Sequence, residues 1–523
     1  MRRAMGSGMF AVLLGAFMLW GQAANAQAPQ SEAKGAEAKS AEAKPPSAEP
    51  KEESSVTDHS IKINGETISY KATAGTILIK DDKGDPTASI FYIAYTRSDV
   101  KDLSQRPLAF LYNGGPGSSS IWVHMGAYGP KRVVTTDAGT TPPAPYRLVD
   151  NQYSLIDKCD EVFLDPVGTG FSHAVGKAQN KDFWGVDSDV RSLAQFINSY
   201  VSRNNRWNSP KFLIGESYGT FRSVALGNYL QSRNGMYLNG IVLMSNVLDL
   251  ATISFYPGED LAYILYVPSY AATACYHKVL TNCPTDLTGF LQQARQFAST
   301  DYASALLKGD SLSDSEKADV AKKLAQFTGL SEDYIIKADL RVNLPQFMAE
   351  LQRSRGLDTG RLDARFSGLA VDPLSEFGEY DPQSTALEGA FTAAFNDYVR
   401  QELKFGQDQH YNVAAQFDGA NWDWKHGGEG FGFPGAANVE PDLVEAIVTN
   451  PNLKIEVENG LYDLATPFFE TEYEMDHLGL PKKLQGNITL KYYDAGHMMY
   501  VRPDDLAKLS ANVHSFIEGA SKQ

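Results

Sequence analysis

Lys211-Phe-Leu-Ile-Gly-Glu-Ser-Tyr-Gly-Thr220 decides how the chain is read, because an apolar strand there runs straight into a tight turn around a serine. Phe212 to Ile214 suit a central parallel strand, and Phe221 onward reads as a helix. Gly215 and Gly219 flank Ser217 two residues away on each side, the G-x-S-x-G spacing of a nucleophile elbow. A side chain at either glycine would meet a neighbouring strand or helix, and the serine is held out at the strand's C-terminal end. The helix N-terminus beneath it favours developing negative charge. Five residues of this kind also arise in ordinary turns, so the reading needs support from the rest of the chain.

Upstream, the apolar strand Pro107 to Tyr112 runs into Asn113-Gly-Gly-Pro-Gly-Ser-Ser-Ser120. Adjacent glycines after a strand let backbone N–H groups face a ligand, so the Gly115 and Tyr218 amides are expected to form an oxyanion hole. A phosphate loop would want a lysine after the glycines, and none stands there. Downstream, Leu453 to Val457 ends in Glu458-Asn-Gly-Leu-Tyr-Asp463, and Ile488 to Tyr493 ends in Asp494-Ala-Gly-His497. Asp463 and His497 therefore fall just beyond successive strand ends, at the sheet edge that carries Ser217 and in the chain order Ser, Asp, His. His497 would take the serine proton and Asp463 would hold the imidazole in the right tautomer, with Asp494 the competing acid. Of the nine histidines only His497 follows a strand and a glycine at this place. His124, His277, His426 and His477 are expected to be surface or satisfied buried groups. No two histidines have helical metal-ligand spacing, so neither a metal nor a cofactor is expected.

Between these motifs strands alternate with helices. Glu161 to Leu164 precedes the glycine loop Asp165-Pro-Val-Gly-Thr-Gly-Phe-Ser172, Asp187 to Tyr200 has helical spacing, and Gly240 to Ser245 is another apolar run. A mostly parallel sheet with helices on both faces is the economical reading. Three β-prone runs, Ile61-Lys-Ile, Gly75 to Lys80 and Ala88 to Tyr95, are expected to add antiparallel strands at one end. Residues 58–254 and 436–523 then form the two parts of an α/β core, and residues 255–435, helical in period, form an inserted cap. Tyr263, Tyr266 and Tyr270 could line a pocket there, although aromatics at helical spacing more often pack.

The 523 residues are 43% hydrophobic and carry a net charge of -16, which disfavours nucleic acid and anionic membranes as partners. Residues 1–26 read as a secretory signal: Arg2 and Arg3, the apolar Met9 to Trp20, then Ala24-Asn25-Ala26 as a cleavage site. That segment is short for a bilayer span, no cysteine follows it, and no other stretch reads as transmembrane, so a periplasmic or secreted protein is expected. Residues 27–57, rich in Ala, Glu, Lys and Pro, are expected to be a tether. With three cysteines and export, Cys275 and Cys283 are expected to bridge and Cys159 to stay buried as a thiol; three free thiols are the alternative.

Asn113-Gly-Gly-Pro-Gly-Ser-Ser-Ser, Asp165-Pro-Val-Gly-Thr-Gly-Phe-Ser, Gly215-Glu-Ser-Tyr-Gly, the Asp463 turn and Gly496-His-Met together resemble the serine carboxypeptidase family over roughly residues 60–520. The resemblance implies an α/β-hydrolase fold with a helical insertion, removal of C-terminal residues from peptides, and a triad of Ser217, Asp463 and His497. It also implies recognition of the substrate's terminal carboxylate by Asn113, Gly114 and Glu216. Peptides are the implied partners. An esterase or acyltransferase with the same triad is the sister reading, and a catalytically silent binding protein is the reading from a different class. The sequence departs from the family pattern at two places. Ser118 and Leu464-Ala-Thr stand where the family commonly has cysteines, and Ala127-Tyr128 stands where its second carboxylate-binding Glu falls, just before Gly129-Pro130.

Overall fold

Runs that are apolar on both faces can be satisfied only between two layers of helices, and such runs build the centre of this molecule. The computed structural model describes residues 49–280, 283–415, 421–427 and 436–522, so the expected signal segment 1–26 and residues 27–48 of the expected tether lie outside the described residues. The main sheet contains β1 (Ser54–Ile63), β2 (Glu66–Lys80), β3 (Pro86–Arg97), β4 (Leu108–Tyr112), β5 (Asp160–Leu164), β6 (Lys211–Glu216), β7 (Gly240–Met244), β8 (Lys454–Gly460) and β9 (Ile488–Tyr493). Their spatial order is β1-β2-β3-β5-β4-β6-β7-β8-β9, with the short strand His173–Ala174 paired to β3. The first three strands and the β3–β5 contact are antiparallel, and every pairing from β5 to β9 is parallel. All residues of β4, β5, β6 and β7 are buried, as parallel strands covered on both sides require.

Helices α1 (Val186–Arg203) and α2 (Tyr218–Asn234) cover one face through Leu193, Ile197, Val224 and Leu230. The other face is covered by the last helix, Pro503–Ser521, through Leu506, Leu509 and Val513. Between β7 and β8, helices including Leu261–Tyr276, Leu287–Phe297 and Asp314–Thr328 build a separate apolar cluster, which closes over Tyr462, Leu464 and Phe468 beside the end of β8.

Two boundaries differ from the sequence expectation. The expected tether 27–57 overruns the fold, because Ser54 to Thr57 already pair with Ala72 to Gly75 in β1. Glu52 also accepts from Leu78 N at 2.9 Å and grips Arg203 with both oxygens. An edge strand buries little, so its polar residues look like linker. The expected cap 255–435 is likewise neither wholly helical nor wholly separate. It contains the antiparallel pair Leu357–Thr359 and Ser367–Leu369, and its helix Pro382–Gln401 packs Leu387, Phe391 and Phe395 into the core cluster.

Candidate active site

β6 delivers Glu216 at its last position and turns at once into α2, leaving Ser217 at φ 61°, ψ -132°, a backbone region that costs an L-residue energy. The turn is fixed from both sides: Ser217 N donates to Met244 O at 2.9 Å, and Thr220 N and Oγ1 each donate to Ser217 O at 2.7 Å. Gly215 is obligatory in this turn, since a Cβ there would collide with the Gly219 backbone. A Cβ on Gly114 would likewise strike the Tyr218 and Gly219 amides, so the loop after β4 lies directly against the elbow and brings Gly115 to it. Tyr218 opens α2, so its N–H has no acceptor within the helix. Its ring is walled by Trp422 and Trp424, with centroids 5.5 and 6.0 Å away.

The strand ends of β8 and β9 bring Asp463 and His497 together. His497 Nδ1 lies 2.7 Å from Asp463 Oδ2. The carboxylate also accepts from Ala465 N at 2.8 Å, Thr466 N at 3.0 Å and Thr466 Oγ1 at 2.9 Å, although it is fully buried. A carboxylate so placed keeps the proton on Nδ1 and leaves Nε2 as a base. Burial pulls the His497 pKa down, but the charge and hydrogen bond of Asp463, with Glu216 behind them, outweigh it and raise the net value. The rival Asp494 is exposed. Among the described residues Ser217 Oγ makes no hydrogen bond to His497, a contact that often forms only once substrate is bound.

A segment with no signal in the sequence completes this corner. Leu362 O accepts from His497 N at 2.6 Å, Arg361 O accepts from Leu464 N at 3.1 Å, and Ala364 N donates to Tyr462 O at 2.9 Å. Asp363 pairs with Arg365 and packs against Gly496. Backbone carbonyls and one backbone N–H supply the three hydrogen bonds, and any residue other than proline carries these groups, so neither composition nor motif reveals them.

Asn113, Gly114 and Glu216 form a second group next to the serine, with Glu216 within electrostatic reach of His497. Asn113 Nδ2 donates to Glu216 Oε1 at 2.8 Å, and its Oδ1 accepts from Val123 N at 3.0 Å. Burial raises the Glu216 pKa to about 7, against the opposing pull of His497, Tyr500 and Asn113. Where the family pattern has its second acid, Ala127 and Tyr128 are both buried, and the Tyr128 hydroxyl points at Met244 Sδ, 3.6 Å away. Tyr500, which the sequence reading did not single out, stands beside Glu216.

The remaining candidates have structural surroundings. His124 is buried on Phe163, 2.7 Å from the Tyr95 hydroxyl, and burial pushes its pKa down to about 3. His277 contacts Ala364 O at 2.5 Å, His426 bridges Asp187 and Asp442, and the exposed His477 lies 2.7 Å from Tyr473 O. Tyr266 and Tyr270 are buried packing residues, Tyr270 stacking on Phe347, and Tyr263 meets Phe255 edge-on. Cys275 and Cys283 form a disulfide, and Cys159 is a buried thiol whose pKa burial drives up. Among the described residues no group of three or more His, Cys, Asp or Glu could hold a metal ion, and no helix is long and apolar enough to cross a membrane.

A family model described as serine carboxypeptidase matches residues 64–334, a span that includes Gly115, Glu216 and Ser217 and stops short of Asp463 and His497. Serine carboxypeptidase-like 45 of Arabidopsis thaliana is 28% identical over 211 residues, 38% of this chain and 42% of that protein. The pheromone-processing carboxypeptidase KEX1 of Saccharomyces cerevisiae is 34% identical over 145 residues, 26% of this chain and 18% of that protein. The chain thus spans less than half the length of the curated relatives it matches. A solved structure of the prohormone-processing carboxypeptidase KEX1(delta)P from Saccharomyces cerevisiae superposes with a TM-score of 0.52 at 17% identity, covering 85% of this chain and 91% of that one, a likeness of fold.

Proposed function

The chain belongs to the serine carboxypeptidase family, and from that premise we propose that it releases C-terminal residues from peptides through an acyl-enzyme on Ser217. The observation that carries the reading is the buried Asp463–His497 pair at 2.7 Å, set at the same sheet edge as a serine in the strained elbow conformation. In this reaction His497 Nε2 takes the Ser217 hydroxyl proton as the oxygen attacks the scissile carbonyl carbon. Negative charge builds on the carbonyl oxygen, where the Gly115 and Tyr218 N–H groups stabilise it. Collapse breaks the C–N bond, and His497 gives the proton to the departing amine; water, deprotonated by the same imidazole, then cleaves the acyl-enzyme. Glu216, pushed up to about 7 by burial, is neutral in acidic and mildly acidic solution, and supplies with Asn113 and Gly114 a site for the terminal carboxylate. The enzyme acts after export, in the periplasm or outside the cell, on the strength of residues 1–26.

Digestion of a peptide library followed by mass spectrometry tests the activity. Residues should leave one at a time from free C-termini, amidated peptides should resist, and Ser217→Ala should stop both digestion and labelling by a serine-directed phosphonate. Internal cleavage, or equal use of amides, would sink the reading. N-terminal sequencing of exported protein should begin at Gln27, and retention of Met1 in the exported form would contradict export by this segment.

A further inference from the structure

Glu216 Oε2 and the Tyr500 hydroxyl are both buried and stand beside one another, yet among the described residues neither atom completes a hydrogen bond of good geometry. Unpaired buried polar atoms are costly and uncommon, so two at one place ask for a third group between them. Asn113 Nδ2 spends one of its two N–H donors on Glu216 Oε1 at 2.8 Å, and its side chain also lies beside the Tyr500 hydroxyl.

The Tyr500 ring reaches this place because the facing segment is small. A Cβ on Gly126 would come within 2.5 Å of the ring, and Ala127, next to it, has no side chain long enough to enter the site. Ala127 belongs to the Ala127-Tyr128 stretch where the family pattern carries its second acid, and Gly126 immediately precedes it. The acid is gone, and an aromatic hydroxyl from a different part of the chain occupies the space beside Glu216.

We propose that Tyr500 is a specificity-determining residue, whose hydroxyl donates with the Glu216 carboxyl to the C-terminal carboxylate of a peptide. The inference rests on the carboxypeptidase reading of the same site. Glu216 is faced by Asn113, Tyr500, His497 and Asp463, and Tyr500 by Glu216, Asn113 and Tyr128; Arg132 borders a cavity of about 100 Å³ behind the ring. The phenol differs from an acid in one decisive way. Burial, with the charge of Glu216, holds its pKa above the ordinary tyrosine value, so it remains a donor at pH values where Glu216 has ionised. A pair of acids would lose both donors together, whereas this site keeps one.

Initial rates on a peptide with a free C-terminus and on its amide, between about pH 5 and 9, test this in the full-length wild type and in Tyr500→Phe, a range that brackets the raised Glu216 value. Phenylalanine keeps the ring packing on Gly126. The expected result is a KM for the free acid raised about tenfold or more, by the same factor at every pH, with kcat and the amide reaction unchanged. Gly126→Ala, which crowds the ring, should raise the same KM selectively. Phosphonate labelling of Ser217 at the wild-type rate shows that each variant is folded. Equal loss on acid and amide, or no change in the free-acid KM, would overturn the assignment of Tyr500 alone. A wild type that does not distinguish acid from amide would remove the carboxypeptidase reading, and the Tyr500 inference with it.

Discussion

The two sides of Ser217 are built to different standards. On the side of Asp463 and His497 the supports are made within the protein: Asp463 takes four hydrogen bonds, the His497 backbone is held at both its N–H and its carbonyl, and Nε2 alone is left without a partner among the described residues. Around Glu216 and Tyr500, two adjacent buried oxygens complete no hydrogen bond of good geometry among the described residues. A general base must stand in one orientation before any substrate arrives, so its supports are made within the protein. A recognition site must keep donors free, because the bonds that saturate them belong to the ligand. On the function proposed above, the difference separates the groups that do the chemistry from those that choose the substrate.

Breaking the saturated side should cost most. Ser217→Ala and His497→Ala should each remove nearly all turnover, on the order of 10⁴- to 10⁶-fold in kcat, and the double variant should be little worse, because triad members act as a unit. Near-wild-type kcat in either single variant would unseat that residue. Asp463→Asn should cost about 10⁴-fold, since an amide facing Nδ1 can donate and select the wrong tautomer. Asp494→Asn should cost little, and the opposite ranking of the two in steady-state rates would exchange their roles.

Breaking the open side should move KM instead. Glu216 donates only while neutral, and its pKa is raised to about 7, so the donor is present below that value and lost as pH rises through it. KM for free-acid peptides should therefore climb above neutral pH by up to about tenfold per unit, the limit for one proton. Glu216→Gln, a permanent neutral donor, should flatten the climb, and a wild-type KM that stays level from acid to alkaline pH excludes Glu216 as donor. The smallest effect is expected from Thr466→Val, which removes the 2.9 Å bond to Asp463 Oδ2 and leaves the two backbone donors. A loss of about tenfold in kcat with KM unchanged fits one hydrogen bond to a charged group; a change in KM alone would place Thr466 on the recognition side.

What could be read in the sequence was what depends on local pattern. The buried strands announce themselves through Leu108-Ala-Phe-Leu and Phe212-Leu-Ile, and Ser217, Asp463 and His497 follow strand ends within a few residues. What stayed hidden depends on partners distant along the chain. Tyr500 looks like one more aromatic after Met499 until the fold lays its ring on Gly126 and its hydroxyl beside Glu216. Ser54 to Thr57 have the polar look of a linker, and only their pairing with β2 makes them a strand. Helical period is visible over Leu261–Tyr276 and Asp314–Thr328, but not that Phe391 and Phe395 of Pro382–Gln401 pack on the core rather than with those helices.

The carbonyl of Leu362 carries a consequence for modularity. It belongs to the stretch between β7 and β8, yet it grips the His497 N–H at 2.6 Å, while its neighbours Arg361 and Ala364 tie down Leu464 and Tyr462. Exchanging that whole stretch for another would remove a support from His497, the proposed base, as well as the inserted helices. Grafts that keep residues 361–364 as a fixed joint, and vary only the helices on either side, respect the way the Asp463–His497 corner is assembled.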